Sequence, residues 1–165
     1  MLLTVGAAAN LSTLGDSMDA VKLLKDDHKK VKDLFRQFEK ARSADRKKTI
    51  AEEAMHELEV HAEVEEEIFY PAAKAKADKE GKALVAEAVE EHHVVKVLIG
   101  ELKAMPEVNE QYEAKFTVLI ENVEHHIEEE EKEMLPDAKK TLGKEIDALG
   151  DQMMARKDEL LAATR

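Results

Sequence analysis

The sequence predicts an all-α protein: an up-down-up-down antiparallel four-helix bundle with an additional C-terminal helix. Three observations predict it. Four long segments carry apolar residues at alternating steps of three and four, the signature of one buried helix face. The good helix formers Ala, Leu, Glu and Lys outnumber Val and Ile, with only 6 Gly and 3 Pro in 165 residues. The second half of the chain also repeats the pattern of the first.

The first segment is expected to start near an Asp16-Ser17 cap signal and to run to about Ala41. Its stripe is Val21, Leu24, His28, Val31, Phe35 and Phe38. Ser43 is positioned to cap the second, about residues 44–70, with Ala54, Leu58, His61, Val64, Glu65 and Ile68 on one face. Pro71 is expected to end or kink it, because proline lacks the N–H that a helix interior needs. A Lys-rich loop is expected over residues 74–81, with Gly81 in it. The third segment, about 82–104, aligns Val85, Ala88, His92, Val95, Ile99 and Leu102, and Pro106 follows it. The fourth, about 109–135, aligns Tyr112, Phe116, Leu119, Val123, His126 and Glu130, with Pro136 expected to end or kink it. From Gly143 a shorter amphipathic helix carries Ile146, Leu149, Met153 and Leu160 as packing residues. The expected organisation is a flexible N-terminal extension over 1–17, a bundle over 18–142, and a C-terminal helix over 143–165 that packs on it.

Composition limits the function. Lys and Arg number 25 against 37 Asp and Glu, a net charge of −12. Nucleic acid and anionic membrane surfaces both select basic proteins, so neither is an expected partner. The charge does not argue against cations. With no cysteine, a disulfide scaffold, a zinc–thiolate site, an iron–sulfur cluster and a thiol nucleophile are excluded. No run approaches the ~18 apolar residues of a membrane span. The N-terminus has no basic residue before Lys22, unlike a signal peptide, so a cytoplasmic location is expected.

The repeat carries the chemistry. Asp26-Asp27-His28 followed by Val31-Lys32 matches Glu90-Glu91-His92 followed by Val95-Lys96. His61-x3-Glu65-Glu66-x4-Pro71 matches His126-x3-Glu130-Glu131-x4-Pro136. His28 and His92 stand 64 residues apart, His61 and His126 65 apart. On a helix, a histidine and a glutamate four residues on are about 40° apart in azimuth and about 6 Å in rise, so both can serve one centre. Four helices thus direct His28, His61, His92 and His126, with Glu65 and Glu130, into one bundle core. Buried imidazoles and carboxylates need partners, and a pair of cations satisfies all six. Imidazole and carboxylate without thiolate suit iron, then manganese or zinc; six ligands exceed one tetrahedral zinc site. His56, His93 and His125 point away from the shared face.

These residues resemble the hemerythrin-like HHE cation-binding family. The stretch HAEVEEEIFYP from His61 to Pro71 is similar to that family's second helix, and HHIEEEEKEMLP from His125 to Pro136 to its fourth. The resemblance covers about residues 18–142 and continues into the tail ARKDEL. It implies a four-helix bundle with a non-haem pair of irons bridged by two carboxylates. The chain departs from the oxygen-carrying members, which have a second histidine four residues along the third helix, where this chain has Lys96. Those members also place their last carboxylate, an aspartate, five residues after the final histidine. The repeat here favours Glu130 at four, with Glu131 the alternative at five. The expected ligand set is therefore four histidines and two glutamates. The resemblance implies binding or sensing of dioxygen or iron, with peroxide or another small oxidant as substrate in the alternative, enzymatic reading. A monomer or homodimer is expected.

Overall fold

A computed structural model describes residues 18–163, so the expected N-terminal extension over 1–17 and its Asp16-Ser17 cap lie outside the described residues. Within them the chain is helical, with no strand. Helix α1 spans Ala20–Lys40 and is capped by Asp19, whose carboxylate accepts from the Val21 and Lys22 N–H groups at 2.7 and 3.2 Å. Helix α2 (Ala44–Val64) starts on Ser43, whose hydroxyl accepts from the Arg46 N–H.

The two repeated prolines, Pro71 and Pro136, neither end nor break their helices. Each helix passes through a π-turn, π1 over Glu65–Phe69 and π2 over Glu130–Met134, and then resumes. Helix α3 (Tyr70–Lys76) carries Pro71 and α6 (Leu135–Leu142) carries Pro136, each at the second position. In an unbroken α-helix the proline ring would collide with the carbonyl four residues back. One extra residue in the preceding turn gives that carbonyl room. The extra residue also shifts the buried face. Phe69 and Tyr70 are buried after Glu65, and Met134 and Leu135 after Glu130, while Ile68 is only half-buried.

The Lys-rich loop expected over 74–81 shrinks to Ala77 and Asp78, because α3 runs to Lys76 and α4 (Lys79–Ala104) begins at once. Lysine is a good helix former, and only Asp78, which accepts from the Gly81 N–H at 2.8 Å, interrupts the helix. Asn109 caps α5 (Glu110–Glu129). Gly143, at φ +51°, turns the chain from α6 into α7 (Glu145–Ala163).

Helix α1 packs on α2, α4 on α5, and α3 on both α4 and α6; α7 lies across α1, α2 and π1. The apolar core falls into two clusters. One gathers Phe35, Phe38, Ile99, Tyr112 and Phe116 with Val31, Leu58, Val95 and Val123. The other gathers Leu24, Val64, Phe69, Tyr70, Ala88, Leu135 and Met153. Between them lies a layer of buried polar side chains.

Gly150 marks where α7 meets the start of α1. A Cβ there would lie 1.6 Å from the Met18 carbonyl oxygen and 2.7 Å from the Ala20 nitrogen. Both are backbone atoms and cannot swing aside. Gly150→Ala is expected to cost about 1–3 kcal/mol by overpacking, read as a lower midpoint in urea. An unchanged midpoint would mean that α7 does not dock so closely.

Candidate metal centre

The polar layer consists of His28, His61, Glu65, His92, His126 and Glu130, none more than 7% exposed. All six sequence-derived candidates are brought together, in two groups. One is His28, His61 and Glu130; the other is Glu65, His92 and His126; within each, ligand atoms lie within 4.8 Å of one another. Each group takes both histidines from one half of the chain and its glutamate from the other. His28 Nε2 is 3.1 Å from Glu130 Oε2, and His61 Nε2 is 2.6 Å from Glu65 Oε1. His92 Nε2 lies 3.2 Å from His126 Nε2 and 3.5 Å from Glu65 Oε1.

The outer nitrogens have carboxylate partners. Nδ1 of His61 meets Asp27 at 3.1 Å, that of His92 meets Glu66 at 2.8 Å, that of His126 meets Glu91 at 2.6 Å, and that of His28 meets Glu131 at 2.8 Å. The four contacts form a closed circuit: α1 supports α2, π1 supports α4, α4 supports α5, and π2 supports α1. A carboxylate on Nδ1 fixes the ring and turns the Nε2 lone pair inward. Sequence reasoning missed the first three of these carboxylates, and placed Glu131 as an alternative ligand where it instead supports His28. The available signal was in the repeat: an acid directly before His28 and before His92, and a second glutamate directly after Glu65 and after Glu130.

Tyr70 was also missed. Its hydroxyl donates to Glu130 Oε1 at 3.1 Å and lies 3.2 Å from His92 Nε2. The matching position in the second half is Leu135, so this phenol breaks the two-fold pattern. Burial and the two nearby carboxylates, Glu65 and Glu130, push it well above the usual tyrosine range, so it stays protonated. His93 and His125 are exposed and His56 is half-buried, all three off the layer.

Electrostatics separates the two glutamates. Burial raises a carboxyl, but His61 opposes it strongly enough to hold Glu65 well below the usual range. Glu130 is raised by burial and by Glu65 facing it. Burial alone would lower His61, yet Glu65 and Asp27 hold its imidazole well above the usual range. Asp27, despite burial, is held low by His61 and by Lys157 of α7.

The donor set fits bound metal cations. His28 Nε2, His61 Nε2, both Glu65 oxygens and Glu130 Oε2 are buried with no hydrogen bond, for even the short contacts above lack hydrogen-bond alignment. Such groups are costly unless something completes them. Neighbouring ligands on an ion with bonds of ~2.1 Å stand about 3 Å apart, close to the spacings seen here. Against the imidazoles lies a cavity of about 30 Å³, with Val31, Leu58, Val95, Val123 and Ile127 as its apolar wall.

Comparison with known proteins agrees with this chemistry. The hemerythrin HHE cation-binding domain pattern matches residues 19–138. The Mycobacterium tuberculosis protein Rv2633c, described as uncharacterized, is 30% identical over 146 residues, which cover 87% of this chain and 88% of that one. A hemerythrin-like protein of Schizosaccharomyces pombe is 26% identical over 119 residues, 72% of this chain and 59% of that one. The crystal structure of a hemerythrin HHE cation-binding domain-containing protein from Mycobacterium kansasii is similar with a TM-score of 0.76 at 27% identity, over 88% of each chain.

Proposed function

Since the chain belongs to the hemerythrin HHE cation-binding family, we propose that its polar layer holds two iron ions and that the pair binds or senses dioxygen or iron. The carrying observation is the set of five buried, unpartnered nitrogen and oxygen atoms converging from four helices. His28, His61 and Glu130 would hold one ion, and Glu65, His92 and His126 the other, with the glutamates bridging. We also assign the four rods an up-down-up-down course. In its support, α1 and α4 carry residues of the second apolar cluster before their histidine and of the first after it, whereas α2, and α5 continued through π2 into α6, run from the first cluster to the second.

Bound iron would supply open coordination positions and redox chemistry toward a small oxidant. The chain's own residues do the rest. The four supporting carboxylates orient the imidazoles. The apolar wall excludes water and leaves room for a ligand of a few atoms. That wall offers no hydrogen-bond donor to a charged oxidant, which favours a neutral diatomic. One observation favours the second reading, redox chemistry on peroxide: the protonated Tyr70 hydroxyl, bonded to Glu130 Oε1 and 3.2 Å from His92 Nε2, sets a hydrogen-bond donor beside the site.

Anaerobic loading with ferrous iron, followed by metal analysis, is expected to give two ions per chain. One ion, or none, would overturn the pair. Exposure to air and then to peroxide separates the readings: a reversible oxygen-dependent spectrum supports binding, and sustained peroxide turnover supports the enzyme.

A further inference from the structure

The two halves of the chain repeat in sequence but not in their covering. In the first half, Leu23, Val60 and Val64 are buried, at 2%, 4% and 2% exposure, on the side where α7 lies across α1 and α2. Basic side chains of α7 hold the acids there: Lys157 pairs with Asp27, and Arg156 with Glu63 and Glu67. The repeat offsets of 64 and 65 residues map those three apolar positions onto Glu87, His125 and Glu129 in the second half. No helix among the described residues covers them. His125 Nε2 is 3.2 Å from Glu129 Oε1 and 3.9 Å from Glu91 Oε1. These three side chains form a further group with donor atoms within 4.8 Å of one another. Three carboxylates, Glu87, Glu91 and Glu129, stand together there.

This group does not stand alone. A cleft of about 10 Å³ opens between α4 and the α5–π2 segment, with Glu87, Glu91, Glu129, His126 and Glu130 as its polar lining and Leu84, Ala88 and Met134 as its apolar lining. Its lining thus runs from solvent-facing carboxylates to two members of the buried layer. One of these, Glu130, is 2% exposed, and its Oε2 has no hydrogen-bond partner. The cleft is the size of about one water molecule, and so of one ion that has shed most of its hydration.

We propose that this cleft is the path by which a divalent cation reaches the buried layer, with Glu87, His125 and Glu129 as its first contacts. The inference rests on the metal reading above. A bare ion could not cross either apolar cluster, since charge in such surroundings is prohibitively costly. Along this cleft the polar side offers carboxylate oxygens and an imidazole nitrogen in place of waters that the ion loses, while Leu84, Ala88 and Met134 form the other side. Negative charge at the mouth also raises the local cation concentration, an effect that salt screens. The first half needs no second path, because α7 seals it and neutralises its acids.

The test is the rate of loading of the metal-free full chain with ferrous iron under anaerobic conditions, or with cobalt(II) as a coloured probe. Glu87→Gln/Glu129→Gln is compared with Glu107→Gln/Glu110→Gln, an equal change in net charge at exposed sites away from the cleft. The first variant is expected to load at least about 5-fold more slowly than wild type at low salt, with a weaker salt dependence. Its final metal content and metal-free melting temperature should be unchanged. The control should load like wild type. Equal slowing of both variants, or wild-type rates in both, would overturn the path while leaving the metal centre intact. A wild-type protein that takes up no metal would instead remove the centre itself.

Discussion

His92→Ala is expected to empty at least one of the two proposed metal positions, so iron per chain should fall from the proposed two to one or fewer, while His93→Ala retains both. The two histidines are neighbours in sequence and opposite in setting. His92 is 4% exposed, with Nε2 among the donor atoms of Glu65 and His126, whereas His93 is exposed. Glu91→Gln should fall between them. It leaves every proposed ligand in place but weakens the hold on the His126 ring, and losses of this kind cost about 10–100-fold in metal affinity. Glu130→Ala should likewise outweigh Glu131→Ala, since Glu131 acts only through His28. The measurement is iron content after loading and desalting, with affinities from competition against a chelator. Equal losses from His92→Ala and His93→Ala would displace the ligand set by a residue.

The second large effect joins stability to pH. Ions that bind only the folded state add about 2.7 kcal/mol at 100-fold excess over Kd, which for a chain of this size is roughly 5–10 °C in Tm. That gain should vanish in acid, because protons compete for imidazoles whose ordinary pKa is about 6.5. The metal-free protein should behave in the opposite way. His61 is raised above its usual 6.5, so its contribution is complete below that value and is lost as pH rises through the folded value. Glu65 is depressed from 4.5, so its contribution holds above 4.5 and fails only as pH falls through the lowered value. Glu130 is raised from 4.5, so ionising it at higher pH destabilises the fold. The site should therefore favour the metal-free fold most between about pH 4.5 and 6.5, where the loaded protein releases its iron. Thermal unfolding of chelated and loaded samples from pH 5 to 8 should show curves that converge in acid and part above neutrality. Two variants probe the asymmetry. Glu65→Gln should destabilise the metal-free form by about 3 kcal/mol, by removing the partner of a buried imidazolium. Glu130→Gln should stabilise it, on the order of 1 kcal/mol. Identical effects would mean that the two carboxylates are equivalent.

The six core positions could be read from the sequence because a buried polar residue on an apolar stripe is conspicuous, and the repeat displays each one twice. The same reasoning did not assign Asp27, Glu66, Glu91 and Glu131 a supporting role, although the repeat displays their positions twice. They sit at helix edges in a chain rich in acids, where a carboxylate normally faces water, and only the crossing of one helix over the next reveals the imidazole it holds. The π-turns were hidden for another reason. A single added residue changes the period too briefly for a stripe to register it, so Ile68 was assigned to the buried face that Phe69 and Tyr70 occupy. Tyr70 escaped because it has no counterpart in the repeat. The symmetry that exposed the histidines concealed the one group that departs from it.

The exchange of glutamates between the halves has a consequence for chain connectivity. With both ions bound, each would act as a cross-link between two halves whose backbone is otherwise connected only through Ala77 and Asp78. One bond set would tie residues 28 and 61 to 130, the other 65 to 92 and 126, enclosing long and short loops at once. A cross-link of that kind removes configurational entropy from the unfolded chain, and the more so the longer the loop it closes. Each hairpin brings only an incomplete set of ligands for either ion, so neither half can be folded around its metal before the other arrives. Assembly of the centre would then be the last event in folding, and its loss the first step toward letting the two halves part.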